Sequence, residues 1–209
     1  MEKHLNISEI FYSLQGESSY SGYPCVFIRL AECNLRCAYC DTQYAFGKGQ
    51  SMAISSILQE VGKHPFKLVE ITGGEPLFQD DVLDLISILH AQQYTILLET
   101  NGSLYLGDVP DYVIKIVDIK APGSGMQDSF MKWNLKFLQA HDELKFVLTG
   151  YHDYLFALDF LKQHDPQVAA IHFAPVTDLL DPHSLAQWML DDGVNARLGL
   201  QLHKLLNLK

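Results

Sequence analysis

Three cysteines, Cys33, Cys37 and Cys40, stand within eight residues in the spacing C-x3-C-x2-C. Thiolates are the soft donors that iron–sulfur clusters favour, and so short a spacing lets one loop wrap a cube, each sulfur reaching a different iron. Three ligands leave one iron without a protein donor. A pure electron carrier would take four thiolates, whereas an open iron can chelate a small molecule. Two plainer readings stand beside this one. A structural zinc site wants four N/S ligands, commonly two C-x2-C knuckles; the second knuckle is missing here, and His64, the nearest downstream histidine, lies in a different segment. Unrelated core cysteines are the other, because a free thiol packs well. A disulfide framework would spread its cysteines to close loops, and the crowding points to a metal instead. The fourth cysteine, Cys25, opens an apolar run and reads as core.

Other segments carry residue types suited to binding. Arg29 interrupts the apolar run Cys25–Leu30 (CVFIRL). A buried guanidinium needs a partner, and its planar fork suits a carboxylate: that of Glu32 or Glu70 in a structural ion pair, or that of a ligand. Ser13-Leu14-Gln15-Gly16-Glu17 joins a glycine, which lets backbone approach a ligand, to an amide that both donates and accepts. By pattern alone such a glycine is more often just a turn. In Gly73-Gly74-Glu75-Pro76 the paired glycines free a backbone edge, and carbonyls or Glu75 can accept from an ammonium group. Asp41-Thr42 reads by itself as a cap. His172 and His203 read as satisfied structural histidines.

These residues need elements to position them. Cys25–Leu30, Leu68–Thr72, Tyr94–Glu99, Tyr112–Asp118, Leu144–Leu148 and Val168–Phe173 are near-continuous apolar runs, the pattern of strands in a parallel sheet covered on both faces. Arg197–His203 is a weaker candidate for a last strand. Helical patterns fall between them at Ile54–Val61, Asp81–Ala91, Phe130–Ala140, Tyr154–Gln163 and His183–Leu190. Such alternation gives right-handed βα units. Six or seven units in 209 residues make an open, incomplete (β/α) TIM-like barrel of parallel strands, because a closed eight-stranded barrel usually takes roughly 250 residues. Ligands sit at the carboxyl ends of such strands. The cysteines, Gly73–Pro76, Thr100-Asn101-Gly102 and Asp118-Ile119-Lys120 all fall there.

Size and charge narrow the choice further. The expectation is one domain over residues 1–209. Hydrophobic residues at 48% and charged ones at 19% describe an ordinary soluble protein. No apolar run reaches the roughly 18 residues that cross a bilayer, and the N-terminal residues lack a signal-peptide pattern, so a cytoplasmic protein without a membrane partner is expected. The formal charge of −10, with no basic cluster, argues against nucleic acid.

C-x3-C-x2-C between a barrel strand and a helix resembles the radical S-adenosylmethionine (SAM) superfamily. Within it the chain is similar to the 7-carboxy-7-deazaguanine synthases of queuosine biosynthesis. Ser13–Glu17, Phe27-Ile28-Arg29-Leu30, Cys40-Asp41-Thr42, Ile71–Pro76, Glu99–Gly102, Asp118–Lys120 and Gln201-Leu202-His203-Lys204 carry the likeness along nearly the whole chain. Each motif alone is weak, and together they are specific. Ser18 stands where the family usually has glycine, and Asp118-Ile119 where relatives often have Ser-Pro.

The resemblance implies a [4Fe–4S] cluster on Cys33, Cys37 and Cys40, and Mg²⁺ on Thr42. It implies SAM bound by Tyr39, Gly74, Glu75, Asp118, Ile119, Lys120, Ala174, Pro175, Val176 and Thr177. Leu14, Gln15, Gly16, Arg29 and Thr72 would take the pterin substrate, 6-carboxy-5,6,7,8-tetrahydropterin, with Arg29 on its carboxylate. The product would be 7-carboxy-7-deazaguanine, with loss of ammonia. An external one-electron reductant of flavodoxin or ferredoxin type and a homodimer would follow. Two rivals remain at this point: an activase that makes a glycyl radical on a partner protein, and a zinc or iron–sulfur interaction module without turnover.

Overall fold

The computed structural model describes residues 2–209. In chain order the elements are β1 (His4–Leu14), β2 (Pro24–Leu30), β3 (Gln50–Ala53), α1 (Ile54–Val61), β4 (Leu68–Gly73), α2 (Val82–Ala91), β5 (Thr95–Thr100), β6 (Ile114–Asp118), β7 (Glu143–Leu148), α3 (Tyr151–His164), β8 (Ala170–Pro175), α4 (Pro182–Asp191), β9 (Arg197–Leu198) and α5 (Leu202–Leu205). All nine strands form one sheet in the order β3-β1-β2-β4-β5-β6-β7-β8-β9. From β2 to β9 every neighbouring pair is parallel. The sheet does not close on itself, as expected of an incomplete barrel.

The all-parallel expectation needs correction at one edge, where β1 runs antiparallel to both β2 and β3. The cause is the short link from β1 to β2, pinned by Gln15 N–H to Tyr23 O and Gly22 N–H to Gln15 O, both 2.8 Å. A hairpin of this length can only return antiparallel. Ser18, inside it, has φ +56°. That is the left-handed region where glycine sits without strain and serine is uncommon.

Side chains alternate across a strand, and the alternation divides this sheet's two faces. Val26, Ile28 and Leu30 of β2, Val69 and Ile71 of β4, and Leu144, Phe146 and Leu148 of β7 point to the main core, against Ile57, Leu85, Leu89 and Phe160 of the helices. Cys25, Phe27, Leu68, Leu97 and Ile116 point the other way and form a second apolar cluster inside the barrel. On that inner face the residues nearer the carboxyl ends are polar: Arg29, Thr72, Glu99, Asp118 and Lys145. An apolar plug therefore lies below a polar floor.

Helix ends follow local rules. At α4, Asp181 accepts from the N–H of Ser184 at 3.1 Å and Pro182 occupies the first turn. Phe130–Ala140 is no α-helix. Only a 3₁₀ segment forms there, Lys132–Phe137, because buried Asn134 is tied sideways. Its amide donates to Gly102 O (2.9 Å) and Leu104 O (2.7 Å) and accepts from Leu106 N–H (3.0 Å). The strand expected at Arg197–His203 shrinks to Arg197–Leu198. Leu202 N–H bonds Gly16 O at 2.9 Å, which pulls the chain off the sheet into the short α5.

Candidate active site

One cavity of about 340 Å³ opens over the polar floor. Cys33, Cys37 and Cys40 line it, as do Leu14, Gln15, Gly16, Arg29, Tyr39, Thr42, Thr72, Gly74, Asp118, Lys120 and Ala174–Thr177. Segments as distant in sequence as Leu14 and Lys209 line it; the parallel strands β2 and β4 to β8 contribute through their carboxyl ends, and β1, antiparallel to β2, contributes Leu14.

The cysteine loop is fastened from several directions. Leu35 N–H bonds Cys33 Sγ at 3.4 Å, and Arg36 donates to the carbonyls of Cys33 and Leu35, both at 2.7 Å. Ala38 N–H reaches Ser124 O (2.9 Å), Asn34 reaches Ser103 Oγ (2.8 Å) and the Tyr39 hydroxyl reaches Val147 O (3.1 Å). Loops after β5 and β6 and the strand β7 thus hold one ligand loop. Burial pushes the Cys33 and Cys37 thiols up.

Gly74 packs directly against this loop. A Cβ there would lie 1.8 Å from Glu32 O and 2.9 Å from Cys33 Cβ, so only glycine fits. Gly16 is equally constrained, since a Cβ would meet His203 Nδ1 at 2.0 Å. Lys120 and Asp118 pair at 2.7 Å. Burial pulls the Lys120 ammonium down, but Asp118 outweighs it and holds the group above the usual lysine range. The other oxygen of that carboxylate, Asp118 Oδ1, is buried with no partner among the described residues. An orphan acceptor in the cavity wall needs a donor from outside the protein, a ligand or a water.

The floor also holds Lys145, to which the sequence reading gave no role. Lys145 pairs with Glu17 and, at 2.8 Å, with Glu99. Thr72 Oγ1 also donates to Glu99, at 2.8 Å. Burial pushes Glu99 up, yet Lys145 overcomes it and holds the carboxyl at about 2. Glu70, bonded by the Gln15 amide, is pushed well above the carboxylate range by its burial and by Glu99. A charged residue at alternate positions of an otherwise apolar strand was the available signal: Glu70, Glu99 and Lys145 all show it.

Several expectations change. Arg29 pairs with Glu9 of β1 at 2.9 Å, not with Glu32 or Glu70, because the antiparallel register sets Glu9 directly opposite. The Glu75 side chain does not face the cavity. Fully buried, it accepts from Thr100 Oγ1 and Asn101 N–H, both 2.8 Å, and from Leu77 N–H at 3.1 Å. Ile119 points its side chain into the main core, as the pleat demands next to inward Asp118. Thr42 gives no side-chain cap; its hydroxyl donates to Asp41 Oδ1 at 3.0 Å, leaving the oxygen's lone pairs free. His172 is structural, bonded to Glu143 at 2.7 Å. His203, by contrast, lines the cavity, carried there by a C-terminal segment that Lys204 fastens to Asp41 at 2.9 Å.

Residues 28–122 match the radical SAM superfamily. Over 97% of its length the chain is 46% identical to a 7-carboxy-7-deazaguanine synthase of Koribacter versatilis, covering 96% of that protein. A synthase of the same name from Chlorobaculum tepidum is 44% identical, over 97% of this chain and 94% of the relative. The crystal structure of QueE from Escherichia coli superposes with a TM-score of 0.79 at 25% identity, covering 96% and 95% of the two chains. The chain belongs to the 7-carboxy-7-deazaguanine synthase family. It is accordingly a radical SAM lyase, whose cofactors are a [4Fe–4S] cluster, SAM and Mg²⁺.

The residues of this synthase-family site fit those groups. Three soft donors share one wall of the cavity, while Cys25 is sealed inside the sheet. No three His, Cys, Asp or Glu side chains among the described residues gather round a single point suited to one ion. All three thiols line the cavity, where the soft donors of an iron–sulfur cluster are needed. The orphan Asp118 Oδ1 suits a hydroxyl donor such as a ribose. Thr42, with one free hydroxyl oxygen, suits a magnesium ion that draws its remaining ligands from substrate and water.

Proposed function

We propose that the chain, acting as one radical SAM core domain, converts 6-carboxy-5,6,7,8-tetrahydropterin to 7-carboxy-7-deazaguanine and ammonia, with individual roles as follows. The observation that carries the reading is the convergence of the three thiols, Asp118-Lys120 and Arg29 on one cavity in a chain 46% identical to a synthase of that name. Cys33, Cys37 and Cys40 hold the cluster. When bound, the cluster and SAM supply a carbon radical able to take a hydrogen atom from the substrate.

The protein's own residues bind, orient and exclude water. Gly74, whose N–H is committed to Leu30 O at 3.1 Å, offers its carbonyl to the SAM ammonium. Asp118 Oδ1 takes a ribose hydroxyl, and Lys120 fixes that carboxylate in place through its 2.7 Å ion pair. Tyr39 and Ala174–Thr177 wall the nucleoside, with Val176 anchored by its N–H to Leu148 O at 2.9 Å. Glu75 and Ile119 act from behind, Glu75 by fixing the turn at Asn101 and Ile119 by seating its strand end in the core.

Arg29 meets the substrate carboxylate. Its Nε is held by Glu9, so its two terminal nitrogens form the fork that a carboxylate accepts. Leu14, Gln15, Gly16 and Thr72 border the pterin. Thr42 supplies one oxygen to Mg²⁺, which carboxylate and water complete. A low-potential reductant of flavodoxin or ferredoxin type, a homodimer and a cytoplasmic setting complete the proposal; no helix of the described residues is long and apolar enough to cross a membrane.

Anaerobic incubation with 6-carboxy-5,6,7,8-tetrahydropterin, SAM, Mg²⁺ and dithionite tests it. Formation of 7-carboxy-7-deazaguanine with ammonia supports the reading. Deoxyadenosine formed only when a second protein is added would replace it with an activase.

A further inference from the structure

Glu70 is a carboxyl set among apolar neighbours. The parallel register puts Phe27 of β2 and Leu97 of β5 beside it on the inner face of the sheet, and both belong to the apolar plug. Glu70 is only 3% exposed. Burying a carboxyl there costs free energy that a leucine would not incur. Its side chain nevertheless lines the cavity, next to that of Gln15. Arg29 stands opposite Thr72, and Phe27 opposite Glu70, on the neighbouring strands β2 and β4. One strand across and two residues along put the backbone positions of Arg29 and Glu70 about 8 Å apart, the scale of a fused bicyclic ring.

The bonds around this carboxyl fix which of its atoms can meet a ligand. Glu17 N–H donates to Gln15 Oε1, so the amide oxygen is engaged and its nitrogen turns to Glu70. That nitrogen, Nε2, donates to Glu70 Oε2. Among the described residues no hydrogen bond reaches the other oxygen, Oε1. The charged and titratable groups around the carboxyl are Glu99 of β5, Lys145 of β7, Glu17 of the β1–β2 link and the Cys25 thiol of β2. Lys145 is the cation among them, and Glu17 and Glu99 already share it. A third negative charge would stand here without a partner of its own. Burial and Glu99 push the Glu70 carboxyl well above the carboxylate range, the direction in which a proton is retained. With Oε2 accepting from Gln15, that proton belongs on Oε1.

We propose that Glu70 selects the substrate's ring by donating a hydrogen bond from a protonated Oε1 to the 4-oxo oxygen of the pyrimidinone, an inference that deepens the proposed function and rests on it. Arg29 then grips the carboxylate at one end of the substrate while Glu70 reads the ring behind it. A carbonyl oxygen offers two lone pairs to such a donor, whereas an amine at the same ring position would bring two donors face to face. A site built around one such bond rejects the analogue that cannot form it, because its own buried polar group is left unpaired. Glu70 touches the substrate but transfers no proton, and no bond forms or breaks there.

Two inhibitors and two variants test this in the reconstituted enzyme. 6-Carboxypterin and 2,4-diaminopteridine-6-carboxylate differ at ring position 4, which bears oxygen in the first and an amine in the second. Wild type should bind the oxo compound about tenfold or more tightly, measured by competitive inhibition of product formation. Glu70→Leu, which extends the apolar plug, should lose that preference and raise substrate KM about ten- to a hundredfold while kcat changes less than about threefold. Iron content and SAM binding check that its site is intact; should they fall, the wild-type preference and the second variant decide. Glu70→Gln keeps an acceptor for Gln15 and an N–H donor for the ring, so its KM and preference should stay within about threefold of wild type. A crystal structure with 6-carboxypterin should set the ring oxygen within hydrogen-bonding distance of Glu70 Oε1. No preference in wild type, an unchanged KM in Glu70→Leu, a Glu70→Gln as impaired as Glu70→Leu, or a ring oxygen held by Gln15 alone would each overturn the proposal. Wild-type enzyme that makes no product from the carboxytetrahydropterin would instead sink the underlying functional reading.

Discussion

Replacing Lys145 with methionine is the sharpest test of the polar floor. The Lys145 side chain is 10% exposed and lies between Glu17 and Glu99, the latter at 2.8 Å. Methionine keeps the length and removes the charge, leaving Glu99 with only the Thr72 hydroxyl, beside a Glu70 whose carboxyl burial and Glu99 already push well above the carboxylate range. Removing one partner of a buried ion pair costs roughly 3–5 kcal/mol. Glu99 can relieve part of that by taking up a proton, which favours the lower figure. At about 2–4 °C per kcal/mol for a chain of this size, the variant should unfold roughly 6–12 °C below wild type at neutral pH.

The pH dependence has a definite sign. Lys145 is held above the usual lysine range, so its contribution is complete at lower pH and is lost only as pH rises through that raised value. Glu99 is held at about 2. Its contribution is present above the ordinary carboxylate range and fades as pH falls from about 4 toward 2. The gap between variant and wild type should therefore be full at pH 6–8 and narrow in acid. Thermal unfolding followed by circular dichroism at pH 7 and pH 3 measures both, and Lys145→Met/Glu99→Gln should recover at least half of the loss. A shift below about 2 °C at pH 7, or a gap that widens in acid, would refute the argument.

Three further perturbations probe individual roles. Gly74→Ala needs a retreat of about 1.6 Å to bring its Cβ from 1.8 Å to an ordinary 3.4 Å from Glu32 O; misplacement on that scale predicts loss of roughly 10²-fold or more in turnover, with lowered iron content by colorimetric assay. Arg29→Lys keeps the charge and loses the fork, so substrate KM should rise about ten- to a hundredfold while SAM cleavage without substrate is unaltered; an unchanged KM would remove Arg29 from the carboxylate. Thr42→Ala should raise the Mg²⁺ concentration for half-maximal product formation and spare SAM binding; an identical Mg²⁺ titration would remove Thr42 from the metal.

Much of this arrangement was readable from one sequence. The cysteine loop, the strand ends and the glycine turn are local signals, set by ligand spacing, apolar runs and backbone freedom. Helix α1 forms with the bounds its pattern indicates, Ile54–Val61, and buries Ile54, Ile57 and Val61 at spacings of three and four. What escaped depends on contacts between distant segments. Nothing near Arg29 indicates that Glu9 will face it, since that follows from the antiparallel register of β1. Phe130–Ala140 has helical periodicity, and the three bonds of Asn134 to a loop thirty residues away defeat it. Glu75 looked like a ligand because its motif ends a strand, yet the turn consumes both its oxygens.

At the centre of the proposal stands a cube that three thiolates would hold, with its fourth corner available to SAM. Mössbauer spectroscopy of the anaerobically reconstituted, ⁵⁷Fe-enriched protein addresses this directly. About four irons per chain, one of which alone changes its spectrum on adding SAM, is the predicted result. Four irons indifferent to SAM, or a single zinc ion bound by the same cysteines, would contradict it.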